Sequence, residues 1–143
     1  MKTQEYLLQL NSNRRKYHSK CIFNRKPPIE DLDFSFNNEG VLTGDFVVSS
    51  DYQGYDGVAH GGLIASIVDA SMTQCLMGHA IIAYTTDISL HFRKPVLIDN
   101  QIHLETKIVS DELGILFNLE TVLIQESIIK VNASGRFYRK LNG

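Results

Sequence analysis

The chain has 143 residues, 43% of them hydrophobic and 21% charged, with a formal net charge of −2 and a pI near 6.2. That composition fits one globular domain and excludes a disordered or fibrous chain, and the slight acidity excludes a broad basic surface for nucleic acid. Two cysteines, Cys21 and Cys75, without a CxxC or Cys/His zinc spacing, exclude a disulfide framework and a zinc module.

The first stretch, MKTQEYLLQLNSNRRK, lacks the long apolar run of a secretory signal. No apolar run approaches the ~18 residues that cross a bilayer. The expectation is a soluble, reduced, cytoplasmic protein with no membrane partner. Residues 1–10 read as a short helix through Tyr6, Leu7 and Leu10. Residues 11–31 are polar and basic with Pro27-Pro28 and read as a connecting segment. The division expected is therefore 1–31, N-terminal helix and connection, and 32–143, a single domain.

From residue 32 the pattern turns to period 2. LDFSF and VLTGDFVVS flank Asn37-Asn38-Glu39-Gly40 and read as a β-hairpin. SSDYQGYDGVA, with Gly54 and Gly57, reads as a loop. Gly61 to Met77 is the one strong helix, with Gly78 expected to stop it. YTTDISLHFRKPV, QIHLETKIVS, ILFNLETVLI and SIIKVNASGRFYRK then read as strands, with a bulge expected at Gly135 and a turn near Gln125-Glu126. One apolar helix followed by antiparallel strands predicts an α+β layer, a curved antiparallel sheet wrapping a long central helix. A helix apolar on nearly all sides needs a second cover beyond one small sheet, and a second subunit is the natural one.

Within that helix, at 100° per residue, Gly62, Ser66, Asp69 and Thr73 fall at about 0°, 40°, −20° and 20°. They form one narrow polar stripe, and no other charged residue occurs from Gly61 to Met77. Such a stripe can be a helix's wet side, but a wet side normally carries several charges. A single carboxylate in an apolar run points instead to a cleft. His60-Gly61-Gly62 opens the helix, where free N–H groups and the macrodipole favour a developing oxyanion. An acid and an oxyanion donor together suit acyl transfer to water, the carboxylate activating water or attacking the acyl carbon. A Ser-His-Asp hydrolase lacks its G-x-S-x-G elbow here. His18, His79, His91 and His103 have no metal-ligand spacing, and Cys75 reads as core. Tyr84, Met72, Met77, Phe92 and Phe117 are candidates for either core or tunnel wall.

These residues carry a resemblance. YQGYDGVAHGGLIASIVDASM followed by TTDISLHFRKPV resembles the hotdog-fold acyl-CoA thioesterases, in the phenylacetate-pathway-like and 4-hydroxybenzoyl-CoA thioesterase-like branch, over about residues 32–139. The resemblance implies a hotdog fold and hydrolysis of an acyl-CoA thioester to free acid and CoA. It gives Asp69 the role of nucleophile or general base and Gly61 that of the backbone N–H polarising the thioester carbonyl. His60 would support that loop and contact the carbonyl, and Thr73 would help orient water. Gln53, Gly62 and Ser66 would lie along the substrate. Arg93 and Lys94 would meet CoA phosphate, with Arg136, Arg139 and Lys140 as further cations. No cofactor or metal is implied, because the CoA thioester is the substrate. The implied partner is a second copy, acid and glycine coming from different protomers of a homodimer that often pairs into a tetramer. Many members carry a C-x-x-C-G…N-P-G-L segment before the first strand; here CIFNRKPPIEDLDF stands in its place. Two other readings of the same fold stay open, a non-catalytic acyl-CoA-binding protein and an acyl-thioester dehydratase or hydratase using His60 and Asp69 for proton transfer.

Overall fold

The computed structural model describes residues 3–17 and 32–141. Most of the expected connecting segment, including His18, Cys21 and Pro27-Pro28, lies outside the described residues. The elements in chain order are α1 (Thr3–Tyr17), β1 (Asp33–Phe36), β2 (Leu42–Val47), α2 (Gly61–Gly78), β3 (Ala83–Phe92), β4 (Gln101–Glu112), β5 (Leu116–Gln125) and β6 (Ile128–Arg139). A single turn of 3₁₀ helix, Ser50–Tyr52, breaks the loop before α2.

One six-stranded sheet runs β1-β2-β4-β5-β6-β3, every pair antiparallel. The period-2 patterns decide which face each strand buries. Ile102, Leu104 and Thr106 of β4, Phe117, Leu119 and Thr121 of β5, and Val131, Ala133 and Phe137 of β6 point to one buried face. Against that face lies α2, whose Ile64, Ile67, Val68, Met72, Cys75 and Leu76 are all fully buried. Each such side chain contributes roughly 1.5–3 kcal/mol by leaving water. The polar groups in this layer satisfy one another. Ser71 Oγ donates to Val68 O at 2.7 Å and lies 2.9 Å from Thr106 Oγ1, which lies 2.6 Å from Thr121 Oγ1. The α+β expectation of a sheet wrapped on one helix holds.

Three local expectations are corrected. The N-terminal helix does not end near residue 10 but continues through Asn11–Tyr17. Leu10, 1% exposed, anchors it in the core, and Asn13 Nδ2 donates to Met77 O of α2 at 2.9 Å. α2 ends at Gly78 as expected, but Gly78 is not the residue after the helix. It is the last helical residue, and the left-handed turn falls at Ala80, φ 64°. Gly78 is small because Phe36 crosses it: a Cβ there would stand 2.4 Å from the Phe36 Cζ. Gly135 is no bulge. It pairs in register with both Ile88 and Leu119, and a Cβ would stand 2.5 Å from Met72 Sδ. The register shifts fall at Thr85/Asp87, Ile108/Ser110 and Leu123/Ile124. The last hairpin turns at Glu126 and Ser127, both with positive φ.

The sheet order leaves β3 at an edge, hydrogen-bonded to β6 only. Its ten residues are mostly exposed, Tyr84 and Phe92 among them. Among the described residues no helix is long and apolar enough to cross a membrane.

Candidate active site

His60 is the residue that starts α2. Its backbone is extended (φ −60°, ψ 127°), and its ring Nδ1 accepts the Gly62 N–H at 3.0 Å. A ring nitrogen that accepts is unprotonated, so this geometry puts the imidazole hydrogen on Nε2. The loop before it is tied down on both sides. His60 N–H donates to Tyr52 O, Ala59 N–H to Val96 O, and Gly54 N–H to Val58 O. Gln53 belongs to this scaffold: its Oε1 accepts the Gly57 N–H at 3.1 Å.

The two glycines therefore differ. The Gly62 N–H is engaged by the histidine ring. Among the described residues the Gly61 N–H has no acceptor. It sits at the positive end of α2, one of the orphan donors of a helix start. Gly61 opens onto a pocket of ≈ 660 Å³, whose walls include His60, Tyr55, Phe92, Arg93 and Lys94. No carboxylate pairs with Arg93 or Lys94 among the described residues. The pocket combines an unused N–H donor, two unpaired cations and an apolar floor of Val58, Pro95 and Val96.

Asp69 lies elsewhere. Eight residues of helix separate it from Gly61, a rise of about 12 Å. It lines a second pocket of ≈ 300 Å³ with Tyr17, Thr73, Met77, Tyr84, Thr85 and Lys140. The stripe expected along α2 is real. Gly62 and Ser66 are exposed, and Asp69 and Thr73 are half-buried. Ser66 Oγ donates back to Gly62 O at 2.9 Å, which holds it along the helix. The carboxylate is oriented by a residue that the sequence pattern did not single out: Thr85 Oγ1 donates to Asp69 Oδ1 at 2.6 Å. That donor comes from β3, beside the register shift at Thr85/Asp87.

The other candidates sort by position. Met72 and Phe117 are core, Met77 and Tyr84 line the acid's pocket, and Phe92 lines the glycine's. Arg136 pairs with Glu112 at 3.7 Å, and Arg139 donates to Gly114 O at 3.0 Å, so both serve the sheet's own end. His79 Nε2 lies 2.9 Å from Gly40 O, and His103 lies 2.9 Å from Asp45. Cys75 is fully buried, and burial pushes its thiol up to about 12, against a smaller opposing effect of a backbone hydrogen bond. It is core, as expected, since only an accessible thiolate attacks.

A site that adds water to an acyl carbon needs the acid and the oxyanion donor within about 3 Å of the same reacting group. Here Gly61, His60, Arg93 and Lys94 share one pocket, while Asp69, Thr73 and Thr85 share the other.

Residues 56–110 match the family model of the thioesterase superfamily, a span that holds His60, Gly61, Asp69 and β3. No curated protein matches the sequence. Among solved structures, the chain is similar to the Escherichia coli PaaI protein of the phenylacetic acid degradation operon, with TM-score 0.76 and 12% identity over 94% of this chain and 96% of that one. It is similar to mouse thioesterase superfamily member 2, with TM-score 0.74 and 15% identity over 97% and 98%. A Streptococcus mutans protein bound to acetyl CoA gives TM-score 0.71 and 18% identity over 78% and 90%. The chain spans about half, 53%, of one further thioesterase superfamily protein. At these identities the likenesses establish the fold.

Proposed function

We propose that the chain is a member of the thioesterase superfamily, whose model matches residues 56–110, and that it hydrolyses an acyl-CoA thioester to the free acid and CoA in a homodimer whose two sites are each shared between protomers. The observation that carries this reading is the division of labour along α2. The free Gly61 N–H stands at the helix start, the Thr85-held Asp69 carboxylate stands about two turns on, and each has its own pocket.

The free edge of β3 supports a way to join them. Asp69 is beside Thr85 near the start of β3, and Gly61 is beside Phe92 at its end, where a Cβ added to Gly61 would stand 3.8 Å from the Phe92 Cζ. Two β3 strands paired antiparallel about a twofold axis near Ile88–Ser89 set Thr85 of one protomer opposite the partner's Phe92. That carries Asp69 towards the partner's Gly61. An exposed ten-residue edge strand is otherwise an open template for pairing.

In the composite site the partner's Gly61 N–H, at the helix's positive end, binds the thioester oxygen as it becomes an oxyanion. Asp69 either takes a proton from the attacking water or attacks the carbonyl carbon itself. The tetrahedral intermediate collapses by breaking the C–S bond. On the general-base route this releases the acid, and the proton that Asp69 took from water passes to the CoA thiolate; on the nucleophilic route water then hydrolyses the acyl-Asp69 anhydride, releasing the acid and supplying the thiol's proton. Arg93 and Lys94, which line the Gly61 pocket, would meet the anionic phosphates of CoA. His60 lines the same pocket and would offer its other ring nitrogen as a second donor. Thr73 is one turn beyond the acid and can hold water. The reaction requires no cofactor or metal. The acetyl CoA bound by the Streptococcus mutans neighbour supports the ligand class.

The test is a panel of acyl-CoAs with thiol release followed spectroscopically. The wild-type chain releases thiol from at least one of them, and Asp69→Asn lowers kcat by about 10²-fold or more while still binding substrate. Equal rates for the two proteins contradict the assignment of Asp69. Binding without turnover by the wild type turns the reading into that of a CoA-binding protein, and conversion of an enoyl-CoA without thiol release turns it into a hydratase.

A further inference from the structure

Tyr17 is not part of the chemistry just described, yet it lines the pocket of Asp69. It comes from the last turn of α1, an element that packs on α2 rather than belonging to the sheet. Its position is fixed from several sides. Tyr6 and Leu10 anchor α1 in the core, and Asn13, one turn before Tyr17, donates to Met77 O. The ammonium groups of Lys16 and Lys140 each lie 5.0 Å from the Tyr17 ring centroid, an electrostatic hold on the ring.

The floor of the pocket is one face of α2. Asp69, Thr73 and Met77 are successive turns, so it extends about 12 Å from the carboxylate to Met77. Asn13 ties α1 to α2 at Met77, and Tyr17 is the α1 residue that lines the pocket. In the composite site the CoA arm leaves Asp69 towards the partner's Arg93 and Lys94, and the acyl tail is left with the opposite direction, over Thr73 and Met77. At ≈ 300 Å³ the space is at the lower limit of ligand pockets, about 300–1,000 Å³.

We propose that Tyr17 is a specificity-determining residue that sets the length of acyl group the Asp69 pocket accepts, its ring closing the end of the pocket opposite the thioester. This rests on the thioester reading above. Tyr17 is 44% exposed at a helix end, so truncating it leaves the core intact.

The test compares straight-chain acyl-CoAs from acetyl to palmitoyl with the wild type, Tyr17→Ala and Tyr17→Phe. Equilibrium binding of the same series is measured on Asp69→Asn and on Asp69→Asn/Tyr17→Ala. Removal of the ring moves the kcat/KM optimum to longer chains, with about a fourfold gain for each methylene newly buried. The binding series shows the same displacement, and Tyr17→Phe keeps the wild-type profile. Parallel profiles for Tyr17→Ala and wild type, at whatever absolute rate, overturn the proposal and leave the thioester reading standing. Neither turnover nor binding across the series overturns both. Binding that shifts with Tyr17→Ala in a protein that hydrolyses nothing upholds the length gauge and overturns the hydrolase.

Discussion

Gly61→Pro separates the oxyanion donor from everything else at the start of α2. Proline removes the N–H and is well tolerated at the first helical position, where that hydrogen has no intrahelical acceptor. The residue before a proline is pushed to extended geometry, and His60 already has φ −60° and ψ 127°. A side chain at 61 has room, because the nearest atom to an added Cβ is the Phe92 Cζ at 3.8 Å. Removal of one oxyanion donor costs about 2.7–4 kcal/mol of transition-state stabilisation, or about 10²–10³ in kcat. Gly61→Ala adds the same carbon but keeps the N–H, and should stay within about threefold of wild type on the same principle. The assay is steady-state thiol release on the best acyl-CoA, with thermal unfolding to check that both variants fold. A folded Gly61→Pro with undiminished kcat refutes the N–H role, and a Gly61→Ala as inactive as the proline variant shows that space, not the hydrogen, was lost.

Two further outcomes follow from named contacts. Thr85→Val removes the 2.6 Å donor from Asp69, and a hydrogen bond to a charged group at an exposed site is worth about 1.5 kcal/mol, so kcat falls about tenfold with KM little changed. Thr85→Ser restores most of it, and a serine variant as slow as the valine contradicts the positioning role. Cys75, read alone in a Cys21→Ser chain, resists thiol reagents at pH 8 until the protein unfolds, because its thiol is held protonated by burial. Since the folded value, about 12, lies above the ordinary 9.0, its contribution to stability is complete below pH 9 and is lost as pH rises towards 12. Denaturant melts against pH give that slope, and rapid labelling of the native protein at pH 8 would contradict it.

The parts legible in the sequence were those written in periodicity. Alternation at Ile102, Leu104 and Thr106 gave β4 its buried face, and the polar stripe of α2 reappears with Gly62 and Ser66 exposed and Asp69 and Thr73 half-buried. Features made by one element meeting another were not legible. Asn11–Lys16 has no apolar repeat, yet it is helical, with Leu10 buried in the core and Asn13 bonded to Met77 of α2. Gly78 looks like the residue after the helix and Gly135 like a bulge until Phe36 and Met72 are seen crossing them. Thr85 is sixteen residues from Asp69, and only the fold of β3 against α2 makes them partners. The same holds for the difference between the two glycines, which rests on where the His60 ring points.

Complementation between two dead variants tests the shared site most directly. Asp69→Asn keeps the donor and lacks the acid, while Gly61→Pro keeps the acid and lacks the donor. If each site takes Asp69 from one protomer and Gly61 from the other, mixing and exchanging subunits regenerates one intact site in every mixed dimer. Random exchange makes half the dimers mixed, so activity returns to about a quarter of the wild-type value. If both groups act from the same chain, every site in the mixture stays broken, and activity no higher than the sum of the two separate variants contradicts the account.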